Sequence, residues 1–572
     1  MDVNALYERW LKEATADPDL IGELRSIAGQ EDAIFDRFYR QLDFGTAGLR
    51  GIIGAGDNRM NVYTVGKATQ GLADYLLAHY DAPAVAIAYD SRIKSDVFAR
   101  VAARVLAANG VKAYLFDELQ PTPVLSFAVR RLRCQSGIVV TASHNPAAYN
   151  GYKCYSAAGY QMTDDEANAV TACIRKLDIF NDIRTVDFDA AVADGRIEPV
   201  GQALVDEFLD EVEKAQVNPG ICRQSPAKVV YTPLNGTGNK PVRAILKRIG
   251  VENVTVVPEQ EQPDGNFPTA PYPNPEIRQA FEKALALAET ERPDLLLATD
   301  PDCDRVGIAV PDGKGDYVLF SGNETGCMLL EYILSCKQAR GEIPADPFVV
   351  KTIVTSPLAA KIAEHYGCKA VDVLTGFKYI GEQIEAAVQA GHPERYIFGF
   401  EESYGYLAGT HARDKDAVVA SMLICEMAAY YRSQGKSLLE MRRAMYDKYG
   451  VYQNTVVNKA FEGAQGMAAM QALMARLRDN RPASIAGRKV IGCADYQLSV
   501  ETDLTTGKTK TLTLPKSNVL AYSLEGDAKL IVRPSGTEPK IKAYLTASGA
   551  TDADASALTA ALTEAAGALL TE

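Results

Sequence analysis

The chain has 572 residues, 47% of them hydrophobic and 23% charged, with 60 Lys plus Arg against 73 Asp plus Glu and a formal net charge of −13. That length exceeds what one hydrophobic core supports, so roughly three to five domains are expected and a small binding module is excluded, while the composition is that of a globular protein that folds throughout. The acidic balance opposes attraction to nucleic acid or to an anionic membrane, so any anionic ligand must be held by a local basic pocket.

In chain order, MDVNALYERWLKEATADPDL reads as an acidic amphipathic helix without the apolar core of a signal peptide. No stretch reaches the roughly 18 apolar residues of a membrane span, and a cytoplasmic protein is expected. FGTAGLRG (44–51) follows and places Arg50 on a loop. From there short β-branched runs alternate with segments of helical period, the pattern of an α/β protein built from βαβ units. AVAIAYD (84–90), GIVVTAS (137–143), KVVYTPL (228–234), DLLLATD (294–300) and YIFGFEE (396–402) are apolar runs ending in polar clusters. They are expected as strands of parallel sheets, buried on both faces. Between the first two, DVFARVAARVLAANG (96–110) puts Phe98, Val101, Ala102, Val105 and Leu106 on one helical stripe and Gly110 at the stop.

Ligands of open parallel sheets sit beyond the carboxyl ends of the strands, so the polar clusters imply one composite cleft. Joints are expected at DGRIEPVG (194–201), PDGKGD (311–316) and YDKYG (446–450), dividing the chain into domains 1–205, 206–318, 319–447 and 448–572. Past residue 450 the pattern changes to hairpin-like strands, VLAYSLEGDAKLIVRPSG, followed by an Ala-rich helix from about Asp552, and the last domain is expected to be α+β.

Four loops carry chemistry. TASHNP (Thr141–Pro146) sets the Ser143 hydroxyl beyond a buried strand. No GxSxG elbow and no Asp and His in hydrolase order support a triad, and a Ser-x-Asn-Pro sequence on its own shapes a turn. ATDPDCDRVGI (298–308) offers Asp300, Asp302 and Asp304 at alternate positions. Three anions this close repel one another unless a cation lies among them, and dense hard oxygen ligands suit Mg²⁺. Asp302 to Val306 also fits the DxDx[TV] pattern of aspartyl-phosphate phosphatases, but there the first Asp caps the strand directly, whereas here Asp300 and Pro301 intervene. GFEESYGY (399–406) supplies Glu401, Glu402 and Ser403 as acceptors for sugar hydroxyls. RPSGTEPK (533–540) combines a fixed cation, two hydroxyls and a Gly, the ingredients of a phosphate cradle. HARDKDAV (411–418) adds Arg413 and Lys415, which as surface cations would ordinarily be solvated. The ten cysteines form no CxxC pair and are expected free and mostly buried, and the five histidines show no zinc spacing.

TASHNP, DPDCDR, FEES and RPSGTEP stand in the order and approximate separation of the α-D-phosphohexomutase family, which the chain resembles from about FGTAGLR to the C-terminal helix. The resemblance implies three similar mixed α/β domains around a central cleft plus a C-terminal α+β domain, one motif in each. It implies that Ser143 carries a phosphoryl group and that Asp300, Asp302 and Asp304 bind Mg²⁺ together with that phosphate. Arg50 and His144 would flank the phosphoserine, and Lys153 in NGYK and Lys415 in RDKD would move protons, given a pKa lowered by surrounding cations. Arg305 and Arg413 would contact substrate, Glu401 and Ser403 would hold the sugar, and Thr375, Gly376 and Lys378 in LTGFK would line its site. Arg533, Ser535, Gly536 and Thr537 would clasp the phosphate that is not reacting. The implied reaction interconverts glucose 1-phosphate and glucose 6-phosphate through glucose 1,6-bisphosphate, with a small sugar phosphate as partner and no nucleic acid, membrane or obligate protein partner. The loop reads FEESYG where many members have GEES or GEMSGH, which leaves mannose and pentose phosphates as alternative substrates. A sugar-phosphate phosphatase or a non-catalytic sensor is the remaining reading.

Overall fold

The computed structural model describes residues 2–45, 47–461, 466–535 and 540–571, and the chain divides into two compact units, Met1–Gly322 with Phe377–Lys436, and Asn323–Gly376 with Ser437–Glu572.

The first unit begins with three helices rather than the expected one, Val3–Glu13, Pro18–Ser26 and Glu31–Phe38. Asp2 and Asp17 cap the first two, and Pro18 opens the second at a position where a missing N–H costs nothing. Their apolar stripes close over Tyr7, Trp10, Leu24 and Phe38, with Tyr63 and Phe180 packed edge-on against the indole. The indole N–H donates to Asp57 at 3.0 Å, and the Arg9 fork grips Asp178 at 2.7 and 2.8 Å.

All five apolar runs are strands, Ala84–Tyr89, Ser136–Val140, Val229–Thr232, Leu295–Thr299 and Tyr396–Glu401, and their interior residues are buried. The helix Ser95–Ala108 buries Phe98, Ala102, Val105 and Leu106 as its stripe requires. Parallel pairing runs from one edge to the middle of each of the first two sheets, and antiparallel strands complete the other edge. In the first sheet Ser136–Val140, Ala84–Tyr89, Lys112–Phe116 and Ile197–Val200 run parallel. Tyr149–Ser156 and Gly48–Ile52 continue it antiparallel at one edge. Arg50 therefore stands on an edge strand opposite Gly151, not on a loop. In the second sheet Val254–Val256, Val229–Thr232 and Leu295–Thr299 are parallel, and Val306–Pro311 and Tyr317–Phe320 follow antiparallel. Each reversal is a hairpin that folds back beside a motif loop, TASHNP in one case and DPDCDR in the other. A third hairpin, Tyr396–Glu401 with Gly405–Leu407, carries FEES at its turn.

In the second unit Phe348–Thr352 and Lys369–Val373 pair in parallel. The antiparallel ladder Val451–Ala460, Lys540–Gly549, Ala528–Pro534, Leu520–Leu524, Arg488–Asp495, Val500–Asp503 and Thr509–Thr511 follows. Helices Gly466–Asp479 and Asp552–Leu569 cover it, burying Met470, Leu473, Leu558 and Leu562. This is the expected α+β ending, with Thr551 and Asp554 forming a capping box. The ten cysteines are free, nine of them buried. Among the described residues no helix is long and apolar enough to cross a membrane.

Candidate active site

Ser143 lies three residues past the strand Ser136–Val140 with φ of +53°, a left-handed conformation that costs a non-glycine residue about 1–3 kcal/mol unless its surroundings impose it. Here they do. Its N–H donates to Thr141 Oγ1 at 2.8 Å, and that hydroxyl donates to Asp90 at 2.6 Å. Asp90 ends the neighbouring strand and pairs with Arg92, whose side chain is fully buried. The Arg92 guanidinium donates to the carbonyls of Ser143, Asn145, Pro146 and Tyr149, the last two at 2.9 and 3.0 Å. One fork thus fixes the whole loop, and the Ser143 hydroxyl is aimed at Asp300, to which it donates at 2.8 Å.

The three aspartates are buried. Asp300 Oδ1 accepts the N–H groups of Asp304 and Arg305 at 3.1 and 3.0 Å, which tightens the turn. Asp302 Oδ2 accepts from Lys153 and from Thr122 Oγ1, both at 2.9 Å, while Lys415 Nζ lies 3.2 Å from Asp304. Among the described residues Asp302 Oδ1 and Asp304 Oδ1 are buried with no hydrogen-bond partner. One oxygen from each of the three carboxylates lies within 4.8 Å of the others. Burial, then repulsion from Asp302 and Asp304, pushes the Asp300 carboxyl well above its ordinary range. Burial would raise Asp302 as well, but Lys153 holds it low. Orphaned hard oxygens, mutual repulsion and a neighbouring serine hydroxyl are what a small divalent cation such as Mg²⁺ would satisfy, so the residues fit the metal.

Lys415 differs from expectation. Burial lowers the pKa of Lys415, but Asp304, Asp414 and Glu401 outweigh it, and the ammonium form is favoured rather than disfavoured. Its neighbours are mainly carboxylates, where cations had been expected. The strand residue Gly405 makes room for it, since a Cβ there would lie 2.1 Å from Lys415 Cδ. Burial, then Arg305 and Arg50, keeps His144 neutral, with Nδ1 3.3 Å from the Ser143 hydroxyl. Arg305 pairs with Glu276 at 2.6 Å. Glu401 is buried at the end of its strand, Ser403 lies in the turn, and the Tyr404 carbonyl accepts the Val306 N–H at 3.1 Å, which ties the FEES turn to the end of the aspartate loop.

Arg413, expected on a solvated loop, is turned inward. Its side chain is fully buried, donating to Glu385 at 3.0 and 3.1 Å and to the carbonyls of Thr410 and Ala412. It pins its own loop, and burial, helped by Arg130, pushes it down to about 10. Lys378 is nearly as buried and donates to Asp164 at 2.7 Å. In the second unit, Gly376 has φ of +125° and the Thr375 hydroxyl is buried without a hydrogen-bond partner among the described residues. Arg533 lies one residue before the end of the strand Ala528–Pro534, and Ser535 N–H donates to the Lys540 carbonyl at 2.7 Å. Gly536 and Thr537 lie outside the described residues. Asp90, Arg92 and Thr122 are the site residues that sequence reasoning missed. AVAIAYD ended on Asp90, the kind of strand end where ligands gather, but nothing local marks Arg92 as buried.

Residues 41–179, 206–313 and 321–449 match alpha/beta/alpha domains I, II and III of phosphoglucomutase/phosphomannomutase. A phosphoglucomutase of Staphylococcus aureus (strain MRSA252) is 37% identical over 542 residues, 94% of this chain and 95% of that one. Another, of Staphylococcus haemolyticus, is 36% identical over 508 residues, 89% and 90% of the two chains. Among solved structures, a phosphoglucomutase/phosphomannomutase family protein of Burkholderia thailandensis superposes with a TM-score of 0.66 at 18% identity, covering 93% of this chain and 98% of that one. Paramecium parafusin in an open form also gives 0.66, at 16% identity and with 92% and 95% covered. At these identities the two structures speak to the fold.

Proposed function

Since the chain belongs to the phosphoglucomutase/phosphomannomutase family, within the α-D-phosphohexomutases, we propose that it interconverts glucose 1-phosphate and glucose 6-phosphate with Ser143 as the phosphoryl carrier. The observation that carries this reading is the 2.8 Å hydrogen bond from the Ser143 hydroxyl to Asp300, in a buried cluster with Asp302, Asp304, Lys153 and Lys415. Mg²⁺ held by one oxygen each of Asp300, Asp302 and Asp304, together with the phosphate on Ser143, would neutralise charge on the transferring group.

The protein's own groups do the rest. The free hydroxyl of the hexose monophosphate attacks the Ser143 phosphate, a P–O bond to the sugar forms as the bond to Ser143 Oγ breaks, and glucose 1,6-bisphosphate results. After the bisphosphate turns, its other phosphate returns to Ser143. Lys153 and Lys415, each against one of the aspartates, are placed for proton transfer, Lys415 in its ammonium form as a donor to the departing oxygen, and neutral His144 flanks the serine without adding charge. Arg50 and Arg305 offset phosphate charge, Glu401 and Ser403 hold sugar hydroxyls, and Thr375, Gly376 and Lys378 line the sugar. Arg533, Ser535, Gly536 and Thr537 clasp the distal phosphate. The four loops fall in domains 1–205, 206–318, 319–447 and 448–572, and the reaction belongs in the cytoplasm with other sugar phosphates.

The test is a coupled assay with intact-mass measurement. Active protein should carry one phosphate and convert glucose 1-phosphate to glucose 6-phosphate without releasing inorganic phosphate. Ser143→Ala should lower turnover by roughly a thousandfold or more, because the covalent step is lost. Near-normal turnover of the alanine variant with glucose 1,6-bisphosphate present would refute the assignment, and stoichiometric phosphate release would make the protein a phosphatase.

A further inference from the structure

Away from the residues that converge on Ser143, the first unit holds a cavity of about 470 Å³ between Glu118–Gln120, the helix Gln202–Glu213 and the start of the helix Asn239–Ile249. That is the size of a small-metabolite site rather than of a packing gap. Its floor is apolar, formed by Val205, Leu209, Pro241 and Ala244. One wall is Gln120, a residue only 7% exposed, whose side-chain amide has no hydrogen-bond partner among the described residues. The Gln120 amide is left to whatever fills the cavity, and the hydroxyl of Thr237, another lining residue, is buried with no hydrogen-bond partner among the described residues. Opposite it, the helix Asn239–Ile249 starts at Gly238 with no side-chain cap, and Pro241 brings no N–H to the first turn. The Asn239 and Lys240 N–H groups are left to an incoming anion. Lys240 stands at the rim in an ion pair with Glu118, both side chains more than half exposed, so its ammonium can be redirected at little cost.

The cavity walls are continuous with the aspartate loop. Thr122, two residues after Gln120, donates its N–H to the Asp302 carbonyl and its hydroxyl to the Asp302 carboxylate, both at 2.9 Å. Thr237, two residues before Asn239, donates its N–H to the Pro301 carbonyl at 2.8 Å. Gly236 lies so close that a Cβ would stand 2.5 Å from Pro301 Cα.

We propose that this cavity binds a phosphate monoester joined to a ring with adjacent hydrogen-bond donor and acceptor, the chemistry of a nucleoside monophosphate, and that occupancy alters cation affinity at Asp300, Asp302 and Asp304. The phosphate takes the helix start and Lys240, the ring lies on Val205, Leu209, Pro241 and Ala244, and the Gln120 amide pairs with the ring edge as donor and acceptor at once. Only the link to the cation rests on the proposed function; the binding site stands apart from it.

The experiment titrates AMP into the full-length protein by calorimetry, with adenosine and inorganic phosphate as its two halves. One saturable AMP site is expected, retained at saturating glucose 6-phosphate and at least tenfold tighter than either half. Ala244→Trp, which fills the floor, and Gln120→Leu, which removes the amide at similar volume, should each weaken AMP at least tenfold and leave kcat without AMP within twofold. AMP should shift the Mg²⁺ concentration for half-maximal activity at least twofold in the wild type and in neither variant. Absence of saturable AMP binding, displacement of AMP by glucose 6-phosphate, or unchanged affinity in the folded variants would overturn the site. If Ala244→Trp does not fold, Gln120→Leu decides. An unmoved Mg²⁺ dependence with binding intact would overturn the link to the aspartate loop alone.

Discussion

A serine with φ of +53° needs a frame, and Arg92 with Asp90 and Thr141 provides it. Arg92 acts as a positioning residue: it touches carbonyls of the Ser143 loop, not the Ser143 hydroxyl. Arg92→Lys keeps the charge but loses the fork that reaches four carbonyls, at a cost of about 2 kcal/mol in stability. It should lower kcat about tenfold or more with KM within twofold, read from steady-state kinetics beside a melting curve. Equal losses in kcat and in 1/KM, or a fall only in melting temperature, would reduce Arg92 to a structural part. Asp302→Asn removes charge from the cluster and leaves the Thr122 hydrogen bond possible. Losing several kcal/mol of charge stabilisation should cost roughly a thousandfold in turnover, and the Mg²⁺ concentration for half-maximal activity should rise; full activity of this variant in excess chelator would refute the metal reading. The residue scale is also where motif reading failed. Arg50 and Arg413 look alike in sequence, each a basic residue in a polar motif, yet Arg50 is exposed on an edge strand while Arg413 is sealed against Glu385.

The elements were legible where a local period announced them. The five apolar strands, the helix Ser95–Ala108 and the Ala-rich helix Asp552–Leu569 follow from burial period and from stop signals such as Gly110, whose φ is +79°. Strand direction was not legible, because a fully buried strand shows the same apolar run whether its neighbour runs parallel or back. The reversals at Tyr149–Ser156 and Val306–Pro311 matter because the first brings Lys153 back beside Ser143's own strand, opposite Val139. The N-terminal segment was read as one helix although Asp17-Pro18 already spelled a second start. Trp10, the chain's sole tryptophan, anchors those helices with no exposed surface of its own. Trp10→Ala should cost about 3–5 kcal/mol through the cavity and the loss of the partner of Asp57. Limited proteolysis should then cut within residues 2–40 well below the temperature at which the wild type is cut, while the sheet strands stay protected in hydrogen exchange. Unchanged protease resistance would mean the three helices are held by other contacts.

At the scale of the whole molecule the prediction concerns substrate choice. FEES carries Glu401 at a buried strand end, and glucose 1-phosphate should be preferred over mannose 1-phosphate by about tenfold or more in kcat/KM, the size of effect that one well-placed hydrogen bond to a hydroxyl provides. Comparable values would erase the distinction, and faster turnover of a pentose 1-phosphate would move the protein to the phosphopentomutases. The sequence by itself determined the α/β class, the α+β ending, the charged loops at strand ends and, through the order of four motifs, the likeness to one family. These rest on patterns a few residues long or on the order of motifs. Only the tertiary structure decided which charges meet: Ser143 reaches Asp300 across 157 residues and Lys153 reaches Asp302 across 149. A side chain's pKa, burial and partners are set by whatever the fold brings within a few ångströms. That is why Lys415 keeps its proton among carboxylates and Arg413 turns inward, although the sequence of their loop foretold neither.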